Sequence, residues 1–137
     1  MFEEMAKAFE LKDVNVAEYS PLTLAYIGDC VYELIIRTNL VYEGNAPVSK
    51  LNKKASDLAK AGTQAAMAEG IMNRLTEEET AAYKRGRNAH SFTKAKNATT
   101  GDYRRATGFE ALIGYLYLQK KFDRIMEIVK YGFEVIK

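Results

Sequence analysis

Two carboxylates interrupt apolar stretches of this chain and are the residues whose placement could do chemistry. Asp29 lies in Leu24-Ala25-Tyr26-Ile27-Gly28-Asp29-Cys30-Val31-Tyr32-Glu33, and Glu110 lies in Phe109-Glu110-Ala111-Leu112-Ile113-Gly114. An ionised carboxylate among packed aliphatic side chains costs free energy unless a cation or hydrogen-bond donors hold it. If the two stretches are neighbouring helices, the carboxylates meet, and a shared hard cation relieves both their desolvation and their repulsion. Such an ion keeps several of its waters. The same pattern also allows each carboxylate to pair with a nearby Arg or Lys, or to cap a loop. Glu33, one turn beyond Asp29, is open to a supporting role toward a water or a lysine and equally to a plain helix-surface pair. Cys30 points off the carboxylate stripe and reads as a small core residue.

Charge is distributed unevenly. Residues 84 to 105 hold seven bases (Lys84, Arg85, Arg87, Lys94, Lys96, Arg104, Arg105) against Asp102 alone, a net +6, while the rest of the chain carries −4. A basic segment on an otherwise acidic protein is the pattern of a polyanion-binding patch, with a solvated surface loop as the plain alternative. His90, in the same segment, has no ligand spacing around it and reads as a phosphate contact or a solvated side chain.

The elements that must position these residues are helical. Phe2, Met5, Ala6 and Phe9 have the spacing of a short amphipathic helix over residues 2 to 11. Ser20-Pro21 is a strong helix start, and the pattern then runs unbroken to Glu43 before Gly44, with apolar residues on most faces, so this long helix is expected at the centre of the fold. Further helices are expected over Val48 to Ala61, Gln64 to Leu75, Thr76 (as cap) to about Ala89, Asp102 onward, and Phe122 to Ile136. His90 to Gly101 reads as a polar loop. No alternating strand pattern, hairpin dipeptide or internal repeat is present, so the expected fold is all-α, a single domain over residues 1–137 with about seven helices. No apolar run is long enough to cross a bilayer, the amino terminus lacks the features of a secretory signal, and Cys30 is the lone cysteine. A cytoplasmic protein without disulfides is expected.

Three motifs, in order, resemble those of the ribonuclease III family. Leu-x-Tyr-Ile-Gly-Asp-x-Val-x-Glu (Leu24 to Glu33) is similar to the family's signature helix, and Ala106-Thr107-Gly108-Phe109-Glu110-Ala111-Leu112-Ile113-Gly114 to its second acidic helix. Lys84-Arg85-Gly86-Arg87-Asn88-Ala89 resembles the Arg-Gly-Arg-Asn-Ala motif of the family's mini branch. The resemblance implies a ribonuclease III-like helical fold around the signature helix, with Asp29 and Glu110 as catalytic residues and as ligands of Mg²⁺. Ala25 and Thr107 stand where larger family members carry further carboxylates, as they do in the mini branch. The resemblance implies an endoribonuclease that cuts double-stranded RNA as a homodimer, joined through the signature helix. Lys84, Arg85, Arg87, Asn88, Lys94, Lys96, Arg104 and Arg105 would then hold the substrate, with the hydroxyl and amide side chains of Ser91, Thr93, Asn97 and Thr99 between them. With Lys137 as its last residue, no separate RNA-binding domain is expected. Selectivity would then come from its own loops or from a ribosomal protein on the RNA, and the mini branch implies the 23S ribosomal RNA precursor as substrate. A non-catalytic module that binds duplex RNA, or a helical protein–protein adaptor, remains open at this point.

Overall fold

The computed structural model describes residues 1–89 and 100–137. Those residues form seven α-helices, α1 (Phe2–Ala8), α2 (Pro21–Glu43), α3 (Val48–Ala59), α4 (Ala61–Ile71), α5 (Glu77–Asn88), α6 (Thr100–Leu118) and α7 (Phe122–Val135), with short 3-10 turns at Val16–Glu18 and Met72–Arg74. The all-α expectation holds, and the helices fall where capping and periodicity put them. The Ser20 hydroxyl accepts from the Thr23 amide at 3.2 Å, with Pro21 at the first helical position. Thr76 and Glu79 form a reciprocal capping box at 3.1 and 2.9 Å. The ends differ slightly from the sequence reading, since α1 stops at Ala8 and the stretch to Leu75 gives up its helix after Ile71 for a 3-10 turn.

Helix α6 is the hub, packed against α2, α4, α5 and α7. Its Phe109, Leu112, Ile113 and Leu116 meet Tyr32 and Ile36 of α2, Met67 and Ile71 of α4, and Ile125 and Ile128 of α7 in one buried cluster. The Phe2 ring lies edge-on to Tyr117 at 5.2 Å and tilted against Phe122 at 5.4 Å, which folds α1 back over α6 and α7.

The crossing of α2 and α6 positions everything that follows. A Cβ on Gly28 would collide with the Glu110 carbonyl, and one on Gly114 would collide with the Leu24 carbonyl. Each helix thus presents a glycine to the other's backbone, at positions one turn apart. A second close approach joins α5 to α6, where a Cβ on Gly108 would lie 2.7 Å from the Tyr83 carbonyl and one on Gly86 would lie 2.9 Å from the Gly108 Cα.

Helix α2 is less enclosed than its apolar periodicity suggests. Leu24, Tyr32, Ile35, Ile36 and Leu40 are buried, but Leu22, Tyr26, Leu34, Val41 and Tyr42 are exposed. Cys30 is exposed as well, which corrects its reading as a core residue.

Candidate active site

The backbone contact at Gly28 brings the next residue, Asp29, to the carboxylate of α6. Glu110 is half-buried, and Asp29, exposed on the neighbouring helix, lies close enough to act on its carboxyl. Burial first, then the hydrogen bond with Asp29 and its charge, raise the Glu110 carboxyl from the ordinary carboxylate range to about 8, and a hydrogen bond from Gln64 partly offsets the rise. At neutral pH the pair therefore retains a proton that a bound cation would displace.

Gln64 of α4 is 2% exposed, and its Nε2 donates to the Ala59 carbonyl at 2.7 Å and to Glu110 Oε2 at 3.5 Å. Tyr32 is fully buried beside it, donating its hydroxyl to the Leu58 carbonyl at 2.7 Å. Burial chiefly, with the nearby charge of Glu110, raises the Tyr32 phenol well above its ordinary value, so it stays a neutral donor. The two last carbonyls of α3 are thus tied to side chains that border Glu110. Neither Gln64 nor this tie is singled out by the sequence, where Gln64 is one amide in an Ala-rich helix whose only distinguishing mark is its isolation among small apolar residues.

The other acidic positions are accounted for locally. Glu33 Oε2 accepts from Arg37 Nε at 2.8 Å on the surface of α2. Ala25 is buried with Leu24 and Ala111. The Thr107 hydroxyl donates to the Tyr103 carbonyl at 3.0 Å, one turn back in its own helix. Among the described residues, no three His, Cys, Asp or Glu side chains group as a metal cage. A pair of neighbouring carboxylates suits Mg²⁺, which binds through one or two carboxylates and keeps much of its water, better than a fully dehydrated ion.

The basic positions divide. Lys84, Arg85 and Asn88 are exposed on the last turns of α5. Gly86, set among them, contacts Gly108 and Ala111, so this basic end abuts α6 within a turn of Glu110. Arg87 is half-buried, its guanidinium 5.8 Å from the Tyr83 ring centre and its Nε donating to Asn88 Oδ1 at 3.2 Å. Arg104 is exposed. Arg105 is ion-paired to Glu69 at 2.9 Å and to Asp102 at 3.7 Å, because α4 packs along α6 there, so its charge is largely compensated within the protein. Lys94 and Lys96, with His90, Ser91, Thr93, Asn97 and Thr99, lie outside the described residues.

Comparison with known proteins gives a consistent pattern. Residues 22–121 match the model of the Ribonuclease III domain. The chain is 48% identical over 129 residues to the Mini-ribonuclease 3 of Clostridium tetani, covering 93% of this chain and 82% of that protein. It is 44% identical over 133 residues to the Mini-ribonuclease 3 of Brevibacillus brevis, covering 97% and 98%. A crystal structure of a Fusobacterium nucleatum protein superposes with a TM-score of 0.77 at 33% identity, covering 85% of this chain and 93% of that one.

Proposed function

Since the chain belongs to the ribonuclease III family and is an endoribonuclease, we propose that it hydrolyses double-stranded RNA with Mg²⁺ held by Asp29 and Glu110. The observation that carries this reading is the backbone contact of Gly28 with Glu110, which brings Asp29 and Glu110, one from each of two largely apolar helices, near enough for Asp29 to act on the Glu110 carboxyl. When bound, the ion supplies a nucleophilic water at neutral pH and neutralises charge that builds on the phosphate. Asp29, exposed to solvent, would hold the ion through its carboxylate, and Glu110, on the buried side, would bind it as a carboxylate after losing the proton it retains in the metal-free protein. The α2–α6 crossing fixes the spacing of the two groups without a loop, so the site is formed before substrate arrives.

Duplex RNA hides its bases in a deep, narrow major groove and is held through phosphates and 2′-hydroxyls. Lys84, Arg85, Arg87 and Asn88 at the end of α5 and Arg104 on α6 offer contacts of that kind, with Lys94 and Lys96 continuing the basic segment in sequence. Two copies of the chain present two such sites to one duplex. The apolar side chains that α2 turns outward, with Tyr26 81% and Leu34 48% exposed, favour pairing through this helix, and Met126 of α7 extends the same kind of surface. The biological substrate in this reading is the 23S ribosomal RNA precursor, trimmed in the cytoplasm and selected with the help of a ribosomal protein on the RNA. No helix among the described residues is long and apolar enough to cross a membrane.

The test is incubation of the purified protein with matched duplex and single-stranded RNAs over a range of Mg²⁺ concentrations. Cleavage confined to the duplex and abolished by chelation is expected. Duplex binding without cleavage at any metal concentration would leave only an RNA-binding module.

A further inference from the structure

The amide of Gln64 is fixed in orientation by its surroundings. The Ala59 carbonyl, 2.7 Å away, can only accept, so the end of the amide facing it must be the NH₂ group. The second hydrogen of that nitrogen is then available to Glu110 Oε2 at 3.5 Å. The other end of the amide, Oε1, is buried and has no protein partner. A buried amide kept for folding is expected to have both ends satisfied, or to be replaced by an apolar side chain of similar volume. Here all the polar output of Gln64 goes to the end of α3 and to the carboxylate of the site.

We propose that Gln64 is a positioning residue: anchored on the Ala59 carbonyl, its Nε2 sets the rotation of the Glu110 carboxylate and so holds it in the arrangement that faces Asp29 and the cation. The α3–α4 junction thereby becomes part of the site, since Tyr32 locks the adjacent Leu58 carbonyl in place. This rests on the assignment of Glu110 as a cation ligand made above. Partners that orient ligands in this way are worth about 10- to 100-fold in metal affinity or activity.

The test uses Gln64→Met, which keeps length and volume without the donor, and Gln64→Leu, so that one can carry it if the other folds poorly. Three quantities are read on the full chain, well below its melting temperature: Mg²⁺ affinity by calorimetry without RNA, the Mg²⁺ midpoint and kcat of duplex cleavage, and the KM for duplex. The expected result is Mg²⁺ affinity weakened about tenfold and a cleavage midpoint raised to match, with KM for RNA unchanged. Wild-type Mg²⁺ affinity, midpoint and kcat in a folded variant, with only a lower melting temperature, would overturn the proposal and leave Gln64 as a structural tie. A wild-type protein that binds no Mg²⁺ would overturn the assignment of Glu110, and the proposal with it, whereas wild-type binding with unaltered variants overturns the proposal alone.

Discussion

The main-chain carbonyl of Glu110 occupies the space that a side chain on Gly28 would need. One contact therefore joins the central helix crossing to the carboxylate pair, because Gly28 precedes Asp29 and the carbonyl belongs to Glu110 itself. A methyl group at this point pushes apart α2 and α6 and the two acids with them. Gly28→Ala is expected to cost about 2 kcal/mol or more, within the range for overpacked cores or above it, and to lower Mg²⁺ affinity. Gly62→Ala is the control, since the nearest atom to its added Cβ, Asp102 Oδ2, lies at an ordinary 3.6 Å. Chemical denaturation of both variants checks the difference.

The raised Glu110 carboxyl makes folding stability depend on pH in a defined sense. Between the ordinary carboxylate range near 4.5 and about 8, the unfolded chain has released this proton while the folded chain retains it. The folded state then binds more protons than the unfolded state, so in metal-free buffer this group's contribution to stability falls as pH rises through that window. Glu110→Gln should flatten the fall, and saturating Mg²⁺ should reverse part of it. Melting temperatures across pH 5 to 8 (roughly the span between the two states' titrations) read this directly.

Glu79 acts in the opposite sense. Arg124 meets it through two nitrogens, at 2.8 and 2.9 Å, and also donates to the Arg74 carbonyl at 2.8 Å, pinning α7 to the start of α5. The hydrogen bonds from Arg124 lead the causes that hold the Glu79 carboxyl below its ordinary value. Its contribution is present above the ordinary carboxylate range and lost as pH falls through the depressed value. Arg124→Ala leaves a buried carboxylate without its cation and is expected to cost about 3 kcal/mol by denaturation. The same variant should also lose much of the acid-side fall in stability.

Much of this molecule can be read from its residues, and the remainder fails for identifiable reasons. Ser20-Pro21 and Thr76 with Glu79 are local signals, and the caps form where they stand. The carboxylates of Asp29 and Glu110 are legible because each breaks an apolar run. Gln64 is not, because its burial depends on α3, α4 and α6 converging, which no local spacing encodes. The pairings of Arg105 with Glu69 and of Arg124 with Glu79 span 36 and 45 residues, so both arginines look free in sequence. Cys30 reads as core because it stands in an apolar stretch, and such a stretch does not say which of its faces the fold covers.

The basic residues should separate by their local partners. Lys84→Ala and Arg85→Ala are each expected to weaken duplex binding and to reduce the salt dependence by about one counterion. Arg105→Ala, whose charge is already compensated by Glu69 and Asp102, should leave that slope unchanged and alter stability by about 1 kcal/mol or less. Binding titrations at several salt concentrations distinguish the two behaviours.

The most direct measurement is cleavage of a labelled RNA duplex in Mg²⁺ by the wild-type protein and by Asp29→Asn, with duplex affinity measured in parallel. The variant keeps size and hydrogen-bonding capacity but removes the charge that the ion would need. A fall in cleavage rate on the order of a thousandfold or more, with affinity retained, is expected for a group that acts mainly in the transition state. An Asp29→Asn protein that cuts the duplex at the wild-type rate would contradict the shared-cation site.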